Sequence, residues 1–348
     1  MALYTKQVNI GNIAIGHGNP IAIQSMLNIP AHDVEGNVKQ AIELQDAGCE
    51  IIRTAVPDLA SVKLIEALKN NISIPVVADI HFDYRIALEC AEAGVDKIRI
   101  NPGNIGDDTK VKQVADKCKQ KNIPIRIGVN SGSVEKNILA KFDGVTADAL
   151  VESAMYHTRL LEKFDFEDIV FSMKASDVKL MFDAYKKASE IVKYPLHLGV
   201  TEAGTKYKGI IKSAAGIGGL LLNGIGDTIR VSLTDNPVEE IKAAKDILKS
   251  VGLKTGGVNI VSCPTCGRTK IDLIGLANRV EKALENCNKN ITVAVMGCVV
   301  NGPGEAKEAD IGIAGGDGCG IIFKKGEILK KVSEENLFFE LMKEIEGM

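Results

Sequence analysis

The stretch PVVADIHFDYRIALECAEAGVDKIRIN, residues 75–101, decides the fold class. Its β-branched runs at Pro75–Ile80 and Asp96–Asn101 predict two buried strands. Between them, Tyr84–Ala93 has the apolar spacing of an amphipathic helix. A strand, a helix and a second strand in so short a span predict a βαβ unit, whose two strands are parallel.

The same alternation continues outward to about residue 250, where further helical patterns occupy Asn37–Ala47, Ser61–Leu68 and Ala147–Phe164. Eight strand–helix units in about 250 residues are typical of a (β/α)8 TIM barrel, whereas a doubly wound open sheet needs only six strands. The helix Val238–Val251, introduced by Asn236-Pro237, would complete the ring. The predicted strands are Ile21–Met26, Ile51–Val56, Pro75–Ile80, Asp96–Asn101, Pro124–Val129, Ile169–Met173, Leu196–Thr201 and Thr228–Leu233.

A glycine-containing linker, Lys254–Gly257, separates this barrel from a chain of different character. We therefore expect two domains, a barrel over residues 1–254 and a small α/β domain over residues 255–348. The second domain is predicted to contain strands Val258–Val261, Ile291–Met296, Asp310–Ala314 and Gly320–Lys324 and helices Asp272–Glu285 and Glu334–Glu346.

The composition narrows the class of function. Among 348 residues, 42 Lys and Arg nearly balance 45 Asp and Glu, for a net charge of −3, which argues against a nucleic-acid-binding protein. No apolar run is long enough for a membrane span, and the start Met-Ala-Leu-Tyr-Thr-Lys-Gln lacks the apolar core of a signal peptide. We therefore expect a cytoplasmic protein whose eight cysteines are core thiols or metal ligands rather than disulfides.

Four predicted strands each carry an arginine that directly follows an isoleucine near the middle of the strand: Arg53, Arg99, Arg126 and Arg230. Because strand side chains alternate, apolar neighbours that face the helices leave the arginines facing the barrel interior. Catalytic groups of this fold lie at the C-terminal mouth, and a guanidinium cluster there suits phosphate or diphosphate. Further polar candidates for the mouth are Asp79, Asn130, Lys174, Thr201, Glu202 and Ser232.

Glu202 is a carboxylate among these cations and is a candidate acid or base. The alternative is that it only pairs with an arginine.

The cysteines divide into two groups. Cys49, Cys90 and Cys118 lie in or beside helical patterns and are expected to be core thiols. Cys263-Pro-Thr-Cys266-Gly is a turn that presents two thiolates to one metal or cluster, and Cys298 lies in a similar Gly-rich loop. A zinc ribbon needs a second Cys-x-x-Cys pair, which the sequence lacks, so three thiolates favour an iron–sulfur cluster. Spacing alone leaves Glu305, Cys319 and Cys287 open as the fourth ligand.

Several blocks resemble the 4-hydroxy-3-methylbut-2-enyl diphosphate synthase family of the methylerythritol phosphate isoprenoid pathway. The resemblance runs through the whole chain and corresponds to the two-domain bacterial form. The two cysteine loops, Cys263–Arg268 and Met296–Glu305, carry it in the second domain. In the barrel it is carried by Ile98–Asn104, Arg126–Ser133, Ser172–Ser176, Val200–Gly204 and Gly224–Arg230.

The resemblance implies a 4Fe–4S cluster held by Cys263, Cys266, Cys298 and Glu305. It also implies that the diphosphate is held by Arg53, Arg99, Arg126, Lys174 and Ser232, with Asn130 nearby. Glu202 would handle protons, and Arg230 and Asn301 would lie near the reacting end. The implied reaction is reductive ring opening of 2-C-methyl-D-erythritol 2,4-cyclodiphosphate with loss of water. By the same resemblance, its two electrons would come from a flavodoxin or ferredoxin through the cluster. The sequence itself carries no Rossmann fingerprint for direct use of NAD(P)H.

Two rival functions remain: a phosphosugar lyase or isomerase barrel with a structural zinc domain, and an iron–sulfur carrier without catalysis. The barrel type also resembles that of dihydropteroate synthase, although fold does not fix function.

We expect a head-to-tail homodimer. The last ring helix should deliver the chain to the bottom of the barrel, and the linker reaches at most about 14 Å. A cluster domain would then cap the partner's barrel, as the resemblance also implies.

Overall fold

The computed structural model describes residues 5–101, 104–253, 257–285, 287–298, 304 and 306–348. The chain divides into two compact units, Met1–Lys254 and Thr255–Met348. Along the described ranges, no helix combines the length and the apolar character that crossing a membrane requires.

The first unit is a barrel of eight parallel strands, which confirms the predicted fold class. Its strands follow one another around the ring in the order β8-β7-β6-β5-β4-β3-β10-β9. A parallel bridge from Phe171 in β8 to Leu196, just before β9, joins the two ends of this sequence of strands. The strands are β3 (Ala22–Met26), β4 (Ile51–Ala55), β5 (Val76–Asp79), β6 (Lys97–Ile100), β7 (Ile125–Asn130), β8 (Ile169–Lys174), β9 (His197–Leu198) and β10 (Thr228–Ile229).

Helices surround the barrel, and most begin at a residue whose side chain caps the helix. Asp177 Oδ1, for example, accepts a hydrogen bond from Leu180 N at 2.7 Å, a contact typically worth about 1 kcal/mol. Asn236 caps the last helix through Val238 N, and Pro237 occupies its first turn as predicted. The helices are Val34–Asp46, Lys63–Asn71, Tyr84–Glu92, Asp108–Lys121, Lys136–Lys141, Ala147–Glu162, Val178–Ile191, Lys206–Ser213, Gly219–Leu222 and Pro237–Ser250.

An N-terminal hairpin that the sequence did not predict closes the lower end of the barrel. It consists of β1 (Val8–Ile10) and β2 (Ile13–Ile15), paired antiparallel. Its strands are only three residues long, too short for a clear alternation of apolar and polar positions. The hairpin's apolar residues form a buried cluster with interior side chains of the barrel strands: Val8, Ile10, Ile15, Ala22, Ile51, Val77 and Val170.

The second unit is a five-stranded sheet with its core against two helices, Leu273–Leu284 and Leu337–Glu346. Strands β11 (Asn259–Ser262), β12 (Thr292–Met296) and β13 (Ile311–Gly315) are parallel. Strands β14 (Cys319–Lys324) and β15 (Glu327–Ser333) continue the sheet in antiparallel pairing.

Strand β15 is missing from the sequence prediction. It lies at the sheet edge, most of its side chains are exposed, and its sequence EILKKVS lacks the apolar run that marks a buried strand. The turn before it, Lys325-Gly326, has φ values of 49° and 81°, the left-handed pair of a tight hairpin. A Lys-Gly turn after a predicted strand was the available signal.

Candidate active site

The barrel mouth contains a cationic pocket of about 130 Å³. Four arginines from four different strands or strand ends reach it, together with one lysine. The lining residues are Arg53, Arg99, Arg126, Gly128, Asn130, Ser172, Lys174, Thr201, Arg230 and Ser232. The structure therefore brings together seven of the residues that the sequence placed in a diphosphate site, and the inward register predicted for the arginines is correct.

One buried carboxylate, Asp79, organises two of these arginines. Arg53 Nη2 donates to Asp79 Oδ2, and Arg99 Nη1 donates to Oδ1 at 3.1 Å. Burial alone would raise the Asp79 pKa, but the charges of Arg53 and Arg99 outweigh burial and lower this pKa well below its usual range. Asp79 is therefore a fixed anion, and it neutralises only part of the charge of the mouth.

Two glycines make room for the long cations. A Cβ atom at position 128 would overlap the guanidinium of Arg99, whose Nη2 donates to Gly128 O at 2.9 Å. A Cβ atom at position 199 would lie 2.7 Å from Lys174 Nζ. Larger residues at either position would displace a cation from the pocket.

Glu240 supports the opposite side of the mouth and was not identified from the sequence. It reaches inward from the helix Pro237–Ser250 and is only 4% exposed. Its Oε1 accepts from Leu233 N at 3.0 Å, its Oε2 accepts from Ser25 Oγ at 3.0 Å, and Arg230 Nε lies 3.8 Å from Oε2. Glu240 thus fixes the backbone next to Ser232 and partly balances Arg230.

Glu202 is exposed and is not among the residues that line the pocket, although its neighbour Thr201 is. Its backbone has φ of 52°, an uncommon conformation for a residue with a side chain. Such conformations persist where surrounding structure imposes them, often at functional sites. The structure therefore places Glu202 at the mouth without a contact to the cations of the pocket floor.

Several buried donors in the barrel have no hydrogen-bond partner among the described atoms. Arg126 is 1% exposed, and its Nε and Nη1 are both unpartnered. The Nε atoms of Arg53 and Arg230 share this condition. Unsatisfied buried donors are costly, so a cluster of them around one cavity indicates a ligand rich in acceptor oxygens.

In the second unit, the loops carrying Cys263 and Cys298 lie at the end of the sheet where β11 and β12 finish, which we call the carboxyl end of the sheet. They follow β11 and β12, which are parallel neighbours with Ser262 opposite Val295. Gly297 N donates to Cys263 Sγ at 3.2 Å, and Lys270 N donates to Gly297 O at 3.3 Å, so the two loops are bonded to each other. Amide donation to sulfur is typical of thiolate-bound metal clusters. The backbone N–H of Arg268 lowers the pKa of the exposed Cys266 thiol.

The described residues of this carboxyl end of the sheet do not form a complete ligand set. No three His, Cys, Asp or Glu side chains among them are arranged to hold a metal ion. Asn301 and Glu305, both predicted for the site, lie outside the described residues. Cys319, the first residue of β14, lies beside the last residue of β13 and therefore at the same carboxyl end of the sheet. Cys287 precedes β12 and packs against the apolar core, so it lies at the opposite end of the sheet, where β12 begins.

The remaining cysteines are core residues, as predicted. Cys49, Cys90 and Cys118 are at most 3% exposed, and burial raises the pKa of each thiol to about 12. They therefore stay protonated and are poor metal ligands.

Comparisons with known proteins agree with this arrangement. Residues 5–245 match the family model described as the GcpE TIM-barrel domain, and residues 259–347 match the GcpE protein C-terminal domain. The chain is 61% identical to a protein of Fusobacterium nucleatum over 98% of this chain and 96% of the relative. It is 61% identical to one of Clostridium perfringens over 98% of both chains. Both are named 4-hydroxy-3-methylbut-2-en-1-yl diphosphate synthase (flavodoxin).

Among solved structures, the dihydropteroate synthase of Yersinia pestis matches the barrel with a TM-score of 0.51 at 12% identity, covering 72% of this chain and all of that one. That likeness concerns the fold alone. The two family models and the full-length relatives confirm the resemblance seen in the sequence and the class of oxidoreductase that it implies. The chain belongs to the GcpE family of 4-hydroxy-3-methylbut-2-en-1-yl diphosphate synthases.

Proposed function

We propose that this protein reductively opens the ring of 2-C-methyl-D-erythritol 2,4-cyclodiphosphate and eliminates water to give 4-hydroxy-3-methylbut-2-enyl diphosphate. The observation that carries the proposal is the cationic pocket at the barrel mouth. Its guanidinium groups and Lys174 suit the acceptor oxygens of a diphosphate, and its unpartnered donors favour a ligand of this kind.

Each group of the mouth has a part in this reaction. Arg53, Arg99, Arg126, Lys174 and Ser232 bind the diphosphate, and Asn130 orients it. Ring opening turns one phosphate ester into a free phosphate oxygen, so negative charge develops within this cluster. Fixed cations stabilise such charge without having to reorganise. Glu202 holds the proton that departs with the hydroxyl as water, and the family resemblance would place Arg230 and Asn301 near the reacting end.

The second domain would hold a 4Fe–4S cluster through Cys263, Cys266, Cys298 and Glu305. The paired loops and the Gly297 amide donated to Cys263 support this assignment, as does the Cys-x-x-Cys turn. When bound, the cluster supplies the two electrons of the reaction one at a time. Because the relatives carry flavodoxin in their names, we propose a flavodoxin as the donor, with ferredoxin as the other candidate.

The test is anaerobic purification with iron, sulfide and zinc counts, followed by assay with the cyclic diphosphate and reduced flavodoxin. We expect iron and sulfide in near-equal amounts, close to four of each per chain, and formation of the allylic diphosphate. A single zinc without sulfide would contradict the cluster and favour the redox-inert lyase or isomerase. Iron and sulfide without turnover would leave an electron carrier.

We further propose a head-to-tail homodimer in which each cluster domain serves the partner's barrel. The support is the short linker after the last ring helix, which limits how far one chain can carry its own cluster domain.

Mixing a Glu202→Gln chain with a Cys298→Ala chain under conditions of subunit exchange tests this assembly. If sites form between chains, each heterodimer regains one intact site, and random mixing restores about a quarter of the wild-type sites. The control is each variant mixed with itself, which should stay inactive. A mixture no more active than these controls would show that each site is built within one chain.

A further inference from the structure

A layer of polar side chains lies inside the barrel beneath the pocket. We call Gln24, Lys97, His197 and Thr228 the inner layer; each is at most 1% exposed. Lys97 precedes Arg99 by two positions in β6, and Thr228 precedes Arg230 by two. Because alternate residues of a strand share a face, the inner layer lies about 7 Å below the mouth. Branched apolar side chains usually fill barrels at this depth.

Lys97 is the member of this layer whose environment is hardest to explain as packing. It is completely buried, and the hydrogen bond from its Nζ goes to Gln24 Oε1 at 3.5 Å, the outer limit of such a contact. Burial, followed by the nearby charges of Arg126 and Arg53, lowers the Lys97 pKa well below its ordinary value. The charged groups that act on this amine are thus cations.

The strands around Lys97 supply no compensating anion. Strand β4 contributes Arg53 and strand β7 contributes Arg126. Strand β9 contributes His197, whose Nδ1 contacts Thr228 Oγ1 at 2.8 Å. The neighbouring strand β5 carries Asp79, but both of its oxygens accept from Arg53 and Arg99. An ammonium at this position therefore needs an anion from outside the protein.

We infer that Lys97 is a proton-coupled counter-cation, uncharged in the empty barrel and protonated when a doubly charged diphosphate enters the pocket above it. The inference rests on the proposed function, since it needs an anion in the mouth. An arginine keeps its charge when buried, whereas a lysine loses it readily, so the change of state falls on Lys97 rather than on Arg126. Lys174 is also buried among cations, but it lines the pocket and would contact the diphosphate itself.

Calorimetric titration with the cyclic diphosphate, without reductant, tests this inference. Each phosphorus of this ligand carries one ester and the shared anhydride oxygen, which leaves a single strongly acidic oxygen that does not titrate near neutral pH. Protons taken up on binding therefore come to rest on the protein. The slope of the binding enthalpy against the ionisation enthalpy of several buffers gives the number of protons. We expect uptake to be larger by about one proton per site in wild type than in Lys97→Met. Any uptake by Lys174 is common to both proteins and cancels from this difference.

The affinity has a matching signature. As the pH rises through the range in which Lys97 loses its proton, the affinity should fall in both proteins or in wild type alone. The fall should be up to about tenfold greater per pH unit in wild type than in Lys97→Met. His197→Gln is the matched control, since it removes a titratable group of the same layer and should keep the Lys97 proton. Lys97→Gln serves as a second variant if Lys97→Met does not fold.

The outcomes separate the two proposals. Absence of binding in wild type would contradict the proposed function. Binding with equal proton uptake in wild type and Lys97→Met would contradict only the role of Lys97. Loss of the proton in His197→Gln instead of Lys97→Met would assign the proton to His197 and overturn the inference.

Discussion

Replacing Cys298 with alanine should remove the visible absorbance of the iron–sulfur cluster together with all reductive activity. Cys298 lies in the loop that follows β12, and Gly297 of this loop donates its amide to Cys263 Sγ. Removing the thiolate leaves the proposed cluster with the two cysteines of a single turn and the carboxylate of Glu305, a set too weak to hold it. The loss of the cluster is measured by visible absorbance and by iron counts, and the loss of activity by turnover. Cys263→Ala and Cys266→Ala should behave alike.

Two controls test whether the effect belongs to this loop. Cys118→Ala alters a core thiol that is 1% exposed and should keep both absorbance and activity. Cys319→Ser changes a cysteine at the same carboxyl end of the sheet as the two loops. It should also keep the cluster, because we assign Glu305 as the fourth ligand. A cluster retained in Cys298→Ala would overturn the assignment, and a cluster lost in Cys319→Ser would select the thiolate over Glu305.

Replacing Arg126 with lysine should weaken binding of the cyclic diphosphate by about 10- to 100-fold. Arg126 is buried at the pocket, and two of its nitrogens have no hydrogen-bond partner among the residues that the structure describes. Lysine keeps the charge but loses the planar fork, and charge-assisted bidentate contacts are worth about 1.5–3 kcal/mol. Direct titration of the ligand without reductant measures this loss separately from chemistry.

A matched exchange at the surface controls for the arginine-to-lysine change itself. Arg159 forms an exposed ion pair with Glu152 on the outside of the barrel, so Arg159→Lys should leave the Kd unchanged. An unchanged Kd in Arg126→Ala would mean that the diphosphate does not contact this guanidinium.

The parallel barrel could be predicted because strand and helix patterns alternate regularly along roughly the first 250 residues. Each buried strand has β-branched residues bounded by turn signals, and each inward arginine stands out directly after an isoleucine. This Ile-Arg pattern also placed the cations at the mouth correctly. The last two strands are shorter than predicted, His197–Leu198 and Thr228–Ile229, because their later residues bend into the loops that carry Thr201 and Ser232.

Features set by long-range contacts could not be read from local pattern. Glu240 lies on a helix whose amphipathic spacing gives no sign that one carboxylate turns inward to Ser25 and Leu233. Lys97 was within reach, since it lies two residues before Arg99 and must share its face. Its burial conflicts with the usual exposure of lysine, and the pattern of the neighbouring arginine was the stronger signal.

The hairpin β1–β2 has a consequence for how substrate enters the barrel and how product leaves it. In the part of the chain that the structure describes, its apolar cluster closes the lower end, while the cationic interior opens at the mouth. Product must then leave through the entrance that admits substrate. The two molecules exclude each other, so product should inhibit competitively. In the proposed reaction, ring opening adds a negative charge to the diphosphate, so the cations proposed to promote the reaction would also slow release of the product.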